Sequence, residues 1–406
     1  MTSDFESFKK ELFGKLKKGS KKCLNIIEKN NKVVEYYLTS NDLFYTKNFL
    51  NDFNDIVVNT RDVKFYKLFE EILNHKLFNT VLAEFRESEV LIKACKIGNE
   101  KVVKWLLTMN INFGVQTDLG MTALMYAVKQ PNLDFAIKKI METNGKHIYF
   151  VNKKGNNALF LSTRDIKTFR EFLKYKDKYQ FDLSSKNPDN ENIFLFCCRY
   201  NKINHIDYYN YLCKNVPFDP NQVNIEDKTA AMYLVESCKN KLLKTFVKDY
   251  NIDPNFKTVT GNTLVSCFIK NYYKTYMEVI SQEQGFGVNL SFFETSFYTL
   301  MALVELGCNL DEPIDKNGTT MSTIFLKLRD DHSYSFIVSH GAKELDLLIE
   351  DKTNLKENYP GVDISNPVVL NNIKTSQKWI KLILIDNHFP VLNKLLEIYS
   401  LNPMYR

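Results

Sequence analysis

The sequence predicts an all-α protein of stacked helix–turn–helix repeats, an α-solenoid with helical caps at both ends. Three observations predict this fold class. A short motif, made of a tight turn, a small polar residue and an apolar run, recurs six times. The segments between the motifs carry apolar residues at helical spacing. The length of 406 residues exceeds that of a typical compact domain, and an array without one central core accommodates such a length.

The six motifs begin at regularly spaced turn residues. The first two copies are Gly120–Ala127 and Gly155–Ser162. The turn positions 120, 155, 190, 227, 261 and 318 lie 35, 35, 37, 34 and 57 residues apart. We interpret the last step as two short repeats, in which residues 286–314 form a repeat whose opening turn has lost its signature. The second helix of that repeat is predicted at Tyr298–Gly307.

Each part of the motif has a physical reason. Glycine, as at Gly120, tolerates the positive φ that a tight turn requires. A threonine two residues later, as at Thr122, caps the first helix because its hydroxyl accepts a backbone N–H. The apolar run packs between neighbouring repeats, and a second helix such as residues 102–107 returns antiparallel. Because one helix pair cannot bury its own apolar face, stacking must stabilise it.

These residues resemble the pattern of the ankyrin repeat family. That pattern opens the first helix with Gly-x-Thr-Pro-Leu-His-x-Ala and places Val-x-x-Leu-Leu in the second helix. The chain matches the pattern at Gly120, Thr122, Leu124, Ala127, Val102, Val103, Leu106 and Leu107. All six copies lack the proline and the histidine of the pattern. The resemblance covers residues 87–345 and implies a non-catalytic adaptor or scaffold that binds another protein.

The chain is expected to divide into three parts. Residues 1–86 are predicted to form an N-terminal helical cap, because they contain amphipathic helices without the repeat motif. Residues 87–345 are predicted to form the ankyrin-like array of about seven to eight repeats. Residues 346–406 are predicted to form a loop, at Leu355–Pro367, followed by a C-terminal helical cap.

The resemblance also implies where a partner binds. In the family, the turn tips and first helices line a concave face, and the side chains at the tips are not needed for stacking. The predicted protein-binding residues are Asp118, Leu119, Met121, Lys153, Lys154, Asn156, Glu226, Lys228, Val259, Thr260, Asn262, Lys316 and Asn317. Leu119 and Met121 stand out, because neighbouring apolar residues at an exposed tip indicate a contact patch.

The segment of residues 5–22 is basic and amphipathic. One helical face carries Phe5, Phe8, Leu12, Phe13 and Leu16. Lysines surround this face at positions 9, 10, 15, 17, 18, 21 and 22. Three interpretations stay open. The segment is an end-cap helix packed on the next helix pair, a helix that binds an anionic membrane surface or an acidic groove of a partner, or a nuclear targeting signal.

Composition and missing motifs exclude several functions. The net charge is +6, but residues 1–32 alone hold nine lysines against four acidic residues, so the remainder is nearly neutral and no nucleic-acid partner is expected. No zinc-protease, nucleophile-elbow or phosphate-loop motif occurs, so no catalytic residue, metal or cofactor is expected. The eight cysteines form no CxxC pair and are expected to be buried, reduced thiols. Without a signal peptide or an apolar span, the expected location is the cytoplasm, with the nucleus as the alternative.

Overall fold

The computed structural model describes residues 2–39, 43–143, 145–281, 290–328 and 330–344. Within these ranges the regular structure is helical, apart from one isolated antiparallel bridge between Val151 and Asn157. The residues form two compact units. Among the described residues, unit 1 contains those up to Cys197 together with 202–217, and unit 2 contains 198–201 together with those from Phe218 to 344. The predicted C-terminal loop and cap lie outside the described residues.

Unit 1 begins with six helices that precede the repeat motifs. They are α1 (Thr2–Leu16), α2 (Lys22–Lys29), α3 (Asn31–Leu38), α4 (Phe44–Asn59), α5 (Lys64–Leu73) and α6 (Asn79–Arg86), with a 3-10 turn at Lys76–Phe78. The apolar face of α1 is buried against α2, α3 and α4. The Phe5 ring lies 5.1 Å from the Tyr37 ring, and the Phe13 ring lies 5.0 Å from the Phe49 ring. This face is therefore not free to enter a membrane while α1 stays packed.

Seven helix pairs follow among the described residues. They are α7 (Val90–Ile97) with α8 (Glu100–Leu106), α9 (Ala123–Ala127) with α10 (Asp134–Glu142), α11 (Ala158–Ser162) with α12 (Ile166–Leu173), α14 (Ile193–Arg199) with α15 (Ile206–Asn215), α16 (Ala230–Glu236) with α17 (Asn240–Asp249), α18 (Leu264–Ser281) with α19 (Leu290–Glu305), and α20 (Met321–Lys327) with α21 (Asp331–Ser339). A short helix, α13 (Lys176–Tyr179), follows α12, and a 3-10 turn at Lys146–Tyr149 follows α10.

The helix pairs stack in the same way within each unit. In unit 1, the first helices α7, α9 and α11 contact one another in order, and the second helix α10 contacts α12. In unit 2, the first helices α16, α18 and α20 contact in order, as do the second helices α17, α19 and α21. The predicted all-α, ankyrin-like stack is confirmed in each unit.

The interpretation of the 57-residue step as two short repeats is wrong. The second helix expected at Tyr298–Gly307 is present as the end of α19, and Gly307 ends it with a φ of 74°. The first helix that packs against it is α18, which already begins at Leu264. The step is therefore one repeat with unusually long helices, of 18 and 16 residues. Spacing alone does not distinguish one long repeat from two short ones.

The turn and cap chemistry of the motif is confirmed. All six predicted turn positions have positive φ, and Asn190 (59°) and Asp227 (54°) take the place of glycine in two of them. Thr122 caps α9 by accepting the N–H of Met125. The residues equivalent to Thr122 also cap their helices, and they are Asn157, Asn192, Thr229, Thr263 and Thr320.

Trp105 of α8 joins the repeat pairs to the preceding helices. Its ring is stacked 5.3 Å from the ring of Tyr66 and lies 5.7 Å from that of Phe69, both on α5. The ring also lies 6.3 Å from Phe85 of α6, and its Nε1 donates a hydrogen bond of 2.6 Å to Glu70 Oε1. A large aromatic side chain with a satisfied N–H is well suited to such a seam.

The cysteines form no disulfide. All eight lie within the described residues, and six of them are buried. Burial raises the pKa of Cys95, Cys267 and Cys308 to about 12, so these thiols stay protonated at neutral pH. Among the helices of the described ranges, none combines the length and apolar character that crossing a bilayer requires.

His147 is expected to make stability fall as the pH falls. Burial lowers the pKa of His147, against the opposing hydrogen bond to the Ile140 carbonyl, and no described group bonds its Nε2. The unfolded chain then binds a proton more readily than the folded chain, so the contribution of His147 is lost below the ordinary histidine pKa of about 6.5. We expect urea unfolding to show that the free energy of unfolding falls more between pH 7.5 and pH 5 for the wild type than for His147→Gln. An equal fall in both proteins would contradict this prediction.

Candidate functional site

The candidate site consists of the turn tips, the four-residue turns that precede the first helices. They comprise residues 117–120, 152–155, 187–190, 224–227, 258–261 and 315–318. In each turn the N–H of the fourth residue donates to the carbonyl of the first, as from Gly120 to Thr117 at 2.7 Å. In five tips a second hydrogen bond closes the base of the turn, as from the Thr117 N–H to the Met121 carbonyl at 3.0 Å. In the sixth tip the Ile314 N–H donates to the Thr319 carbonyl at 2.8 Å instead.

The first residue of a tip holds the turn with its side chain. Thr117 Oγ1 accepts the N–H groups of Leu119 and Met121, at 3.3 and 3.2 Å. Asp315 Oδ1 accepts those of Asn317 and Thr319, at 2.9 and 3.0 Å. Hydrogen bonds from Thr319, then from Asn317, lower the pKa of Asp315. A Thr, Asn or Asp three residues before the turn residue is the sequence signal of this construction.

Neighbouring tips are bonded to each other within each unit. In unit 1, the Lys153 N–H donates to the Leu119 carbonyl at 2.9 Å. In unit 2, the backbone N–H and the hydroxyl of Thr260 donate to Asp227 Oδ2 at 2.8 and 2.6 Å. Burial raises the pKa of Asp227, but hydrogen bonds from Thr258 and Thr260 outweigh it and keep that pKa below its usual value. These bonds fix the first two tips of each unit relative to each other.

Nine of the predicted binding residues are exposed at the tips. They are Asp118, Leu119, Lys153, Lys154, Glu226, Val259, Thr260, Lys316 and Asn317. Val259 is the extreme case, with 98 % of its surface exposed. These side chains occupy the second and third positions of their turns, which point away from the stack.

Four of the predicted residues do not face outward, and the prediction for them is wrong in this respect. Met121 is 7 % exposed and Asn156 is 5 % exposed, whereas Lys228 and Asn262 are half-buried. All four directly follow the left-handed residue of a turn, where the chain re-enters the stack. The Asn156 side chain accepts a hydrogen bond of 3.1 Å from Asn187 Nδ2. Lys228 Nζ pairs with Glu236 Oε1 at 2.7 Å.

The sequence prediction missed Ile225. Ile225 is 66 % exposed at the second position of its turn, the same position that Val259 occupies in the next turn of unit 2. The two apolar side chains thus project from equivalent sites on consecutive, hydrogen-bonded tips. The sequence feature that could have identified Ile225 is an apolar residue two positions before Asp227, in a turn where polar residues are usual.

Beneath Ile225, a polar cluster fixes the tip. Tyr233 Oη donates to Glu226 Oε2 at 2.8 Å and accepts from Asn224 Nδ2 at 2.8 Å. Burial, followed by the Glu226 carboxylate, raises the pKa of Tyr233 well above its usual value, so the phenol stays neutral. Arg199 pairs with the other oxygen of Glu226. No set of three or more potential metal ligands occurs in the described ranges.

Repeated helix pairs, joined through exposed turn tips, define a helical repeat protein. The family model described as ankyrin repeats (3 copies) matches residues 63–137 and 91–182. Residues 63–182 therefore contain ankyrin repeats, and the family match begins within the segment predicted as the N-terminal cap. No curated protein sequence matches the chain.

Several solved structures resemble the chain at low identity. An ankyrin repeat domain from Acinetobacter baumannii is 15 % identical, with a TM-score of 0.38 over 54 % of this chain and 97 % of that one. The ankyrin repeat domain of Bcl-3 is 14 % identical, with a TM-score of 0.39 over 58 % and 92 %. A chain from the complex of a Bdellovibrio bacteriovorus predatory endopeptidase with its immunity protein is 20 % identical, with a TM-score of 0.34 over 46 % and 94 %. The family assignment rests on the family model.

Proposed function

We propose that this protein is a non-catalytic adaptor or scaffold, and that its turn tips and adjoining first helices bind another protein. Ankyrin repeats generally mediate protein–protein interaction, which supports a protein partner. The observation that carries the proposal is the exposure of Ile225 and Val259 at the same position of consecutive tips. Neither side chain contributes to the stack, and each exposes apolar surface to water at a position where a polar residue is favourable.

The surroundings of these two residues support a protein interface. Glu226 and Thr260 are the exposed polar neighbours of Ile225 and Val259 in their turns. An apolar centre within a polar rim is the usual composition of a protein-binding surface. The hydrogen bonds of Thr260 to Asp227 pre-position the two tips, so binding requires little ordering there.

The membrane-surface alternative has weaker support. It requires the apolar face of α1 to leave the protein, yet Phe5, Phe8 and Leu12 are almost completely buried. Detaching these side chains costs about 1.5–3 kcal/mol each by apolar transfer, which a surface helix would have to recover from the lipid. The exposed lysines alone provide only electrostatic attraction.

Replacing Ile225 and Val259 together by serine is expected to weaken partner binding by about 100-fold. Loss of the two apolar contacts removes roughly 3 kcal/mol, and every 1.4 kcal/mol is about tenfold in Kd. The tagged protein is first purified from its native cells, and mass spectrometry identifies what binds. Titration calorimetry then measures the Kd of the identified partner for the wild type and for the variant. Circular dichroism checks that the variant is folded.

The matched control is Val63→Ser with Phe44→Ser. These residues are also exposed, by 58 % and 65 %, but lie before the repeat pairs, away from the turn tips and the first helices. The control is expected to keep the Kd of the wild type within about twofold, a difference of under 0.5 kcal/mol. Equal weakening by both pairs, or full binding by Ile225→Ser with Val259→Ser, would contradict the proposal. So would turnover of a small molecule without any stable protein partner.

A further inference from the structure

A second candidate binding surface lies in unit 1, away from the turn tips. A groove of about 1010 Å³ runs between α1, the end of α4 and the start of α5. Its floor is apolar and consists of Phe13, Ile56 and Phe65. Phe13 is buried, whereas Ile56 and Phe65 are half-buried and so reach the groove surface. A volume of this size is at the upper end of the range usual for ligand pockets, about 300–1,000 Å³.

Gly14 keeps the floor of the groove open. A glycine inside a helix is less favourable than an alanine. Packing does not require glycine here, because no heavy atom lies within 4 Å of the position that its Cβ would occupy. Its φ is not in the left-handed region either. A side chain at position 14 would instead project into the groove, which Gly14 lines.

Four acidic and four basic side chains line the groove. Each of the acidic side chains already has a partner in the fold, although the backbone N–H that bonds Asp62 carries no charge. Asp52 and Glu6 approach Lys9 Nζ at 2.8 and 3.5 Å, Asp55 pairs with Lys93 at 3.0 Å, and Asp62 accepts the Lys64 N–H at 3.0 Å.

The remaining basic side chains of the groove have no such partner. Lys10, Lys17 and Arg61 are exposed, and none of them forms a side-chain ion pair with the described residues. Further exposed lysines continue this basic surface beyond the groove, at positions 15, 18, 21 and 22. Residues 6–22 and the other residues that line the groove together carry eight basic side chains against five acidic ones, so the surface around the groove is positive.

We propose that this groove binds an acidic peptide segment of a protein partner. An apolar side chain of the segment packs on Phe13, Ile56 and Phe65, over the opening that Gly14 leaves. Its carboxylates pair with Lys10, Lys17 and Arg61 at the rim. The floor lies in a concave groove, so a flat membrane surface meets the exposed lysines without reaching it. The proposal is independent of the function of the turn tips.

The test selects peptides from a random display library on the full-length wild-type protein. Selection is repeated on Gly14→Leu, which fills the groove with a residue of high helix propensity. We expect the wild type alone to enrich peptides that combine Asp or Glu with an aromatic or aliphatic residue. Thermal unfolding is expected to show that Gly14→Leu is at least as stable as the wild type. Gly14→Ala provides a smaller change at the same position, with partial loss of binding.

Charge reversal tests the rim with an enriched peptide synthesised in labelled form. Lys10→Glu with Lys17→Glu is expected to raise its Kd at least tenfold, about 1.4 kcal/mol. The control, Lys29→Glu with Lys32→Glu, changes the net charge equally, at exposed positions of the same region that do not line the groove. It is expected to change the Kd by less than about twofold, or under 0.5 kcal/mol. Ile225→Ser with Val259→Ser is expected to leave peptide binding unchanged, which separates this proposal from the function of the tips.

Three results would overturn the proposal. The first is enrichment of basic or neutral peptides, or of none, on the wild type. The second is equal binding of the enriched peptides to Gly14→Leu, and the third is equal weakening by the two charge reversals. Vesicles of phosphatidylcholine and phosphatidylserine (3:1) are tested in parallel. Vesicle binding that Lys10→Glu with Lys17→Glu abolishes, without peptide enrichment, would assign the basic surface to anionic lipid instead.

Discussion

Replacing Trp105 by alanine is expected to lower the free energy of unfolding by about 3–5 kcal/mol, the range for large aromatic residues in cores. Trp105 fills the seam between α8 and the helices α5 and α6, where it contacts Tyr66, Phe69 and Phe85. Removing it leaves a cavity that these rings cannot fill and leaves Glu70 without the indole N–H. Urea unfolding followed by circular dichroism measures the change, because tryptophan fluorescence would itself be altered.

Trp105→Phe separates packing from hydrogen bonding in this seam. Phenylalanine keeps most of the ring contacts but removes the N–H that Glu70 accepts, so a smaller loss of about 1–2 kcal/mol is expected. If Trp105→Ala cost less than about 1 kcal/mol, the view that this residue unites the repeat pairs with the preceding helices would be wrong.

Replacing Gly155 by valine is expected to lower the free energy of unfolding by about 3 kcal/mol. Gly155 has a φ of +69°, which costs a residue with a side chain about 1–2 kcal/mol. In addition, a Cβ at this position would lie 2.1 Å from Cγ of Pro188, in the neighbouring tip. A proline ring cannot rotate away, so the tip must shift, and such overpacking costs about 1–3 kcal/mol. Urea unfolding again provides the measurement.

Gly318→Val supplies the matched control for Gly155→Val. Gly318 occupies the same turn position with a φ of +73°, but nothing lies within 4 Å of its would-be Cβ. Gly318→Val is therefore expected to lower the free energy of unfolding only by the cost of the left-handed backbone, about 1–2 kcal/mol. Adding Pro188→Ala to Gly155→Val should recover part of the difference. An equal loss of stability in Gly155→Val and Gly318→Val would contradict the close contact between neighbouring tips.

The local chemistry of the repeats could be predicted from the sequence, because turns and caps depend on a few adjacent residues. Gly120, Thr122 and their equivalents adopt the predicted conformations and hydrogen bonds. The long repeat of α18 and α19 could not be predicted, because helix length depends on packing against neighbouring helices. Those contacts are absent from the spacing of turns.

The candidate site was only partly predictable for the same reason. A turn motif shows where the chain reverses, but not which of its side chains turn back into the stack. Met121 and Asn156 were therefore wrongly expected at the surface, and the exposed Ile225 was missed. The amphipathic pattern of residues 5–16 is the same for a helix on a protein core and for one on a membrane. Only the packing of Phe5 and Phe13 against α3 and α4 distinguishes the two.

The groove beside α1 was not foreseen at all. In the sequence, Gly14 is a residue that weakens a helix, and the lysines around it are a charge cluster without a shape. The groove becomes visible only when α4 and α5 are placed beside α1, so that Phe13 and Phe65 share one surface. A binding surface formed by residues about 50 positions apart leaves no short motif in the sequence.

The most direct test of the central claim, that the turn tips bind a protein, is hydroxyl-radical footprinting of the complex with the identified partner. Oxidation of Ile225 and Val259, the exposed pair of unit 2, is expected to fall strongly on binding. Oxidation of Val63 and Phe44, which are exposed before the repeat pairs, is expected to stay the same. Full reactivity of Ile225 and Val259 in the complex, with protection of Val63 and Phe44, would contradict the claim.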